Sequence, residues 1–112
     1  EAHIEQGPIL EAAGLEIGVV TQIQGIRWSR VTVTGSDSHA GTTPMDRRRD
    51  ALVGAAEMIV ALNRMARGQD RWARLTVGRI EVEPNSGATI PGKVVFNCDF
   101  RHPDSGTLDL LE

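Results

Sequence analysis

The clearest periodic pattern in the chain is a helical one between residues 51 and 66. Apolar side chains recur there at helical spacing, in a run of strong helix formers that contains no proline. Thr43 is a candidate N-terminal cap, Pro44 suits a first helical position, and Gly68 is placed to end the helix. The pattern therefore predicts a helix whose entrance lies at Thr43 and Pro44.

Apolar and β-branched residues in runs without helical spacing predict strands on both sides of this helix. They lie at residues 17–24, 27–34, 74–82 and 94–101. The first two segments favour two strands hinged at Gly25, and the last alternates strictly, with Arg101 on its polar face. His102 precedes a proline, so we expect it to cap the end of the last strand or to face solvent, without a functional role. Ser105 onward is expected to open a second helix.

The order of the predicted elements indicates the fold class. Strand, helix, strand, strand, helix matches an α+β fold, namely a ferredoxin-like split βαβ domain with an antiparallel sheet and helices on one face. The last strand of such a domain is expected beyond Glu112. The sequence also starts without methionine and stops within the predicted second helix, so we expect it to be a piece of a longer chain.

Composition narrows the class of protein. The 112 residues fit one domain, and 40% hydrophobic and 24% charged residues are typical of a soluble globular protein. No apolar run approaches the roughly 20 residues of a membrane span. A net charge of -3 argues against nucleic-acid binding, so the cluster from Arg47 to Arg49 is expected to open the helix and contact something acidic. A single cysteine, Cys98, and the lack of a recognisable leader favour the cytoplasm.

Few side chains are candidates for chemistry. His39 lies among small polar residues, either as an exposed imidazole in a strand-to-helix turn or as a functional titratable group. His3 is a candidate metal ligand, but its neighbours have no recognisable chelating spacing. Arg101 has the planar fork that grips a carboxylate, and a salt bridge with Asp99 or Asp104 is the simpler alternative.

Four motifs occur in an order that is more specific than any one of them. They are HIEQGPILE at residues 3–11, GSDSHAGTTPM at residues 35–45 with Arg48 and Asp50 after it, IPG at residues 90–92, and DFRHPD at residues 99–104. Together they resemble the carbamoylase branch of the zinc aminoacylase superfamily, which includes N-carbamoyl-L-amino-acid hydrolases and allantoate amidohydrolases. The resemblance covers essentially the whole chain.

The resemblance implies a homodimeric enzyme whose catalytic domain holds two divalent metals, either zinc or manganese, cobalt or nickel. Residues 1–16 then correspond to the end of a catalytic segment and a hinge, and residues 17–112 to a truncated lid and dimerisation domain. The implied partners are a second copy, the catalytic domain of the same chain and a small ureido substrate. Neither nucleic acid nor a membrane is implied.

The same motifs carry over the roles of individual residues. The resemblance implies that His3 is a metal ligand. It also implies that His39 is catalytic, stabilising negative charge on the substrate carbonyl oxygen and reaching the site across the dimer. Arg101 corresponds to the arginine that pairs with the substrate carboxylate, and Gln6 to a residue that touches the substrate amide.

One position departs from the family pattern. Relatives have an asparagine that helps to hold the substrate where this chain has Ala88, which has no amide group. The contact is then expected either to be missing or to be supplied by Asn85 or Thr89. The overall expectation is the lid and dimerisation part of an amidohydrolase that cleaves a carbamoyl or ureido C–N bond in an N-carbamoyl-L-amino acid or allantoate, and that is inactive as this part alone. A non-catalytic homodimerisation or binding module is the alternative.

Overall fold

The helices and strands follow the predicted order, with a short first helix and two short strands in addition. In the computed structural model, which describes residues 1–110, they are α1 (Ile9–Ala12), β1 (Gly25–Thr34), β2 (Ser38–His39), α2 (Ala51–Arg67), β3 (Arg74–Glu83), β4 (Thr89–Ile90), β5 (Lys93–His102) and α3 (Ser105–Leu110). A 3-10 turn occupies Met45–Arg47.

The central strand of the main sheet is β5. It pairs antiparallel with β1 on one side and with β3 on the other. Because both neighbours run opposite to β5, β1 and β3 are parallel to each other, and α2 forms the crossover between them. This confirms the predicted α+β fold with a split βαβ arrangement. The short strands β2 and β4 form a separate antiparallel pair.

The core lies between one face of this sheet and the helices. The apolar positions of β5 predicted from strict alternation are all buried, and they form one cluster with residues of α2 and α3: Val94, Phe96, Cys98, Phe100, Ala51, Ala55 and Leu108. The two alanines have small side chains, so the backbone of α2 approaches the sheet closely. Helices α2 and α3 therefore cover the same face, whereas side chains of the other face, such as that of Trp28, are exposed.

The predicted strand at residues 17–24 is wrong. This segment has no regular secondary structure, and β1 begins at the predicted hinge, Gly25, opposite His102 of β5. Strand formation requires a partner for the backbone N–H and C=O groups, and no other strand within residues 1–110 pairs with this segment. Its apolar side chains consequently remain 81–86% exposed at Ile17, Val19, Val20 and Ile23.

The predicted entrance of the long helix is also wrong. Asp50 rather than Thr43 caps α2, and its carboxylate accepts hydrogen bonds from the N–H groups of Leu52 and Val53 at 2.9 and 3.1 Å. Pro44 precedes the separate 3-10 turn, after which Arg48 is extended, so the chain leaves helical geometry before α2 begins. The predicted end at Gly68 is confirmed. Neither α2 nor another helix within residues 1–110 combines the length and apolar character of a membrane span.

Candidate functional site

His39 lies at the end of the short strand β2, opposite Thr89 of β4, and its side chain is exposed. The ring nitrogen Nδ1 accepts hydrogen bonds from the backbone N–H groups of Gly41 and Thr42, at 3.0 and 3.2 Å. The predicted turn of small residues is therefore present, and its backbone amides converge on the imidazole. The other ring nitrogen, Nε2, is the one that can interact with groups outside the loop.

The loop after His39 is held by Arg48. Its Nε donates to the carbonyl oxygen of Thr43 at 3.1 Å, and its Nη2 donates to that of Ala40 at 2.8 Å. The expectation that the arginine cluster contacts something acidic is therefore wrong for Arg48, although Arg47 lies 3.7 Å from the Asp46 carboxylate. The cluster also does not open the helix, since it lies before Asp50. Sequence reasoning missed the role of Arg48 because its acceptors are main-chain atoms.

Arg101 lies on the polar face of β5 and forms a bidentate pair with Asp99. The two N–O distances are 2.9 and 2.8 Å, and the arginine side chain is 43% exposed. The guanidinium lowers the pKa of Asp99, and the carboxylate raises the pKa of Arg101. Of the two predicted acidic partners Asp99 is the one used, because the Asp104 carboxylate instead accepts from the N–H of Thr107 in α3. Asp99 occupies two of the five guanidinium N–H groups.

His102, next to Arg101, is the last residue of β5 and is buried, so of the two expected placements it caps the strand end, and the expectation that it faces solvent is wrong. Its side chain is 3% exposed, and Nδ1 accepts the N–H of Asp104 at 3.0 Å while Nε2 lies 3.1 Å from the Asp70 carboxylate. The N–H of Trp72 and then the hydrogen bond with His102 lower the pKa of Asp70. These contacts tie the end of β5 to the connection between α2 and β3. Sequence reasoning missed Asp70, which is 32 residues from its partner.

The structure does not bring His39 and Arg101 together. His39 pairs with Thr89, which precedes the first residue of β5, whereas Arg101 is next to the last. The eight residue steps from Lys93 to Arg101 span roughly 27 Å of strand. The two predicted site residues therefore lie towards opposite ends of β5.

The structure does bring His39 next to the position that departs from the family pattern. The N–H of Ala40 donates to the carbonyl oxygen of Ala88 at 2.9 Å, so residue 88 borders the histidine loop. Asn85 is exposed in the connection between β3 and β4, with a left-handed φ of 54°, a conformation that asparagine tolerates well. Thr89 is the nearer of the two proposed substitutes, since it faces His39 across the strand pair.

His3 and Gln6 lie in the exposed segment before β1. The Nε2 atom of His3 is 3.5 Å from a carboxylate oxygen of Glu1, and the Glu5 carboxylate accepts from the N–H groups at the start of α1. Within residues 1–110, no three His, Cys, Asp or Glu side chains are grouped so that they could hold a metal ion. The described residues therefore contain no such cluster around His3.

A shallow groove of about 420 Å³ lies on the open face of the sheet. Its lining residues include Trp28, Arg30, Arg79, Asn97 and Asp99. Asp99 connects this groove to Arg101, whereas neither His39 nor Arg101 is itself a lining residue. The groove is thus separate from the histidine loop.

Comparison with known proteins identifies the family of this chain. Residues 21–112 match the family model described as the peptidase dimerisation domain. The chain belongs to this family. The chain is 50% identical over 99% of its length to an N-carbamoyl-L-amino-acid amidohydrolase of Paenarthrobacter aurescens, of which it covers 27%. It is 42% identical over 96% of its length to an allantoate amidohydrolase of Escherichia coli K12, of which it covers 26%.

A solved structure agrees with these relatives. The chain superimposes on an amidase of the hydantoinase/carbamoylase family from Burkholderia multivorans with a TM-score of 0.94 and 52% identity, over 97% of this chain and 26% of that one. The resemblance inferred from the motifs and the predicted fold class are therefore confirmed. The chain spans about a quarter of the length of these relatives.

Proposed function

We propose that this dimerisation domain is the lid of a longer amidohydrolase that cleaves a carbamoyl or ureido C–N bond in a substrate carrying a carboxylate. An N-carbamoyl-L-amino acid or allantoate fits that description. The relatives named above support the reaction, and two side chains of the domain have the required chemistry. Arg101 can grip a carboxylate, and His39 can donate a hydrogen bond to a carbonyl oxygen.

The distance between His39 and Arg101 supports the proposal that two copies of the chain share each active site. Roughly 27 Å of strand separates the regions of His39 and Arg101, which exceeds the length of any small ureido compound. One copy therefore cannot present both residues to one substrate molecule. Two copies related by a twofold axis can do so, with Arg101 from one and His39 from the other.

The surface of the domain supports such a homodimer. The helix α2 leaves apolar side chains exposed, among them Val53 at 54% and Val60 at 48%. Strand β1 pairs only with β5 among the described strands, so its other edge is open. Apolar side chains and open strand edges are both surfaces that a second copy can cover.

The residues of this chain would act on the substrate in two ways. Arg101 has three N–H groups left after its pair with Asp99, enough to bind and orient a substrate carboxylate. The Nε2–H of His39 would stabilise charge that develops on the carbonyl oxygen, an effect worth about 100- to 1000-fold in rate. A bound divalent metal pair would polarise that carbonyl and activate water. His3 is proposed as one ligand, and the others must come from outside residues 1–110.

The remaining residue assignments rest on where each residue lies in the chain. We assign residues 1–16 to the end of a catalytic segment, next to the exposed apolar stretch that the catalytic part would cover. Gln6 is proposed to touch the substrate amide, and Asn85 or Thr89 to replace the asparagine missing at Ala88. The buried, unpaired Cys98 is consistent with a cytoplasmic protein.

A subunit-mixing experiment tests the shared site. In the full-length protein, the His39→Ala and Arg101→Ala homodimers should each be far less active than the wild type when the substrate concentration lies below the wild-type KM. After subunit exchange, half of the dimers carry both variants, and each of these has one site with His39 and Arg101 both intact. We expect about a quarter of the wild-type rate of ammonia release. No recovery in dimers whose mixed composition is verified by native mass spectrometry would contradict the shared site.

A substrate panel tests the reaction itself. The metal-loaded full-length protein should release ammonia from N-carbamoyl-L-amino acids, allantoate or 3-ureidopropionate, whereas residues 1–112 alone should not. In the same assay Arg101→Ala should raise KM, because it removes the carboxylate contact. His39→Ala should lower kcat, because the charge it stabilises is larger in the transition state. Absence of turnover on all three substrate types would refute the amidohydrolase assignment.

A further inference from the structure

The hydrogen bonds around His39 define which ring nitrogen carries the proton. Two backbone N–H groups, those of Gly41 and Thr42, point at Nδ1, and a nitrogen that accepts hydrogen bonds carries no proton. In the neutral imidazole the proton is therefore on Nε2. Within residues 1–110, Nε2 of His39 has no hydrogen-bond partner, so this N–H is available to a ligand.

Gly41 allows the ring to lie this close to the loop. A Cβ at this position would be 3.2 Å from Cε1 of His39 and 3.4 Å from Nδ1, tighter than side chains normally pack. An alanine would push the imidazole away from the two amides. Glycine here serves close approach, since the backbone at residue 41 has no left-handed φ.

Arg48 holds the loop that carries the two amides. Its donors reach carbonyl groups on both sides of residues 41 and 42, namely those of Ala40 and Thr43. The guanidinium fork spans the loop as a rigid brace, and its side chain is half-buried. A lysine at this position keeps the charge but cannot reproduce two directed bonds from one planar group.

We propose that Arg48 is a positioning residue that, together with Gly41, keeps His39 as the Nε2–H tautomer with its donor directed away from the loop. The catalytic importance of this tautomer rests on the proposed function of His39. The other tautomer, protonated at Nδ1, would present a bare acceptor at Nε2 to the substrate oxygen and would lose the stabilising hydrogen bond. Arg48 acts only through His39, without touching the substrate.

Nitrogen NMR of the histidine ring tests the tautomer directly. Long-range proton–nitrogen correlation spectra of the 112-residue chain at about pH 9, where an ordinary imidazole is neutral, report the protonation of each nitrogen. We expect a fully pyridine-like Nδ1 and a fully pyrrole-like Nε2 for His39. Shifts averaged between the two tautomers, or a protonated Nδ1, would overturn the proposal.

Matched variants test the two supporting residues. Arg48→Lys and Gly41→Ala should each move both His39 nitrogen shifts towards averaged values. The controls are Arg49→Lys, an exposed arginine next in the chain, and Gly87→Ala, whose new Cβ would meet nothing within 4 Å. If either variant fails to fold, the other still decides. Ring shifts identical to those of the wild type in a folded Arg48→Lys chain would overturn the role of Arg48.

Kinetics connect the tautomer to turnover. In the full-length protein Arg48→Lys should lower kcat on the order of 10- to 100-fold while KM stays within about twofold. An unchanged kcat despite altered ring shifts would refute the positioning role. If the wild type hydrolyses no ureido substrate but its ring is locked as described, the tautomer assignment stands and only the proposed function fails.

Discussion

Replacement of Leu108 by alanine tests how α3 is attached to the sheet. Leu108 is 2% exposed in α3 and belongs to the same cluster as Phe96 and Phe100 of β5. Its Cδ1 atom lies 2.6 Å from where a Cβ would be at Gly25, so the first residue of β1 leaves space for it. Removing three carbon atoms from this position creates a cavity that the rigid sheet cannot fill.

The loss in free energy of unfolding expected for Leu108→Ala follows from the burial of this side chain. Leu-to-Ala substitutions at fully buried sites destabilise by about 2–5 kcal/mol, because the lost transfer free energy and the cavity add. At a urea slope of about 1.5 kcal/mol/M, the unfolding midpoint should fall by roughly 1–3 M. This is a large part of the about 5–15 kcal/mol that stabilises a typical domain.

Leu110 provides the matched control in the same helix. It is 86% exposed, so Leu110→Ala should change the free energy of unfolding by less than about 0.5 kcal/mol. Urea unfolding followed by tryptophan fluorescence gives both values, and equal slopes show that the denatured states are comparable. Equal losses in the two variants would refute the packing of α3 through Leu108.

Two further predictions concern the backbone and acid stability. Gly35→Ala should destabilise the chain by about 1–3 kcal/mol or more, because the new Cβ would collide with the carbonyl oxygen of Arg49. The control Gly87→Ala should be neutral or slightly stabilising, because its new Cβ would meet nothing within 4 Å. Thermal unfolding compares the two variants, and equal melting temperatures would contradict the clash. The pKa of Asp70 is lowered from 3.8, so its contacts stabilise the fold above that pH, and this contribution disappears as the pH falls through the lowered folded-state pKa. Asp70→Asn should therefore reduce the loss of stability between about pH 4 and pH 2, and an unchanged acid limb in urea midpoints would count against this contact.

Local patterns in the sequence were sufficient to predict most of the helices and strands. Alternation in β5 and helical spacing in α2 report which side of an element is apolar, and in both elements residues of that side pack in the core. The same patterns failed at residues 17–24, where apolar character was present but a strand partner was not. Helix capping failed for a related reason, because several residues before α2 can accept an N–H and only the path of the chain selects Asp50.

The candidate residues were likewise visible in local motifs, whereas their relations in space were not. The sequence alone identified His39 and Arg101 as candidates and left Asp99 and Asp104 open as partners of the arginine. The tertiary structure selected Asp99, buried His102 against Asp70 and set His39 and Arg101 at opposite ends of β5. Local patterns determine backbone conformation because it depends on neighbours in the chain. Pairing across tens of residues depends on strand register and loop path, which only the folded sheet decides.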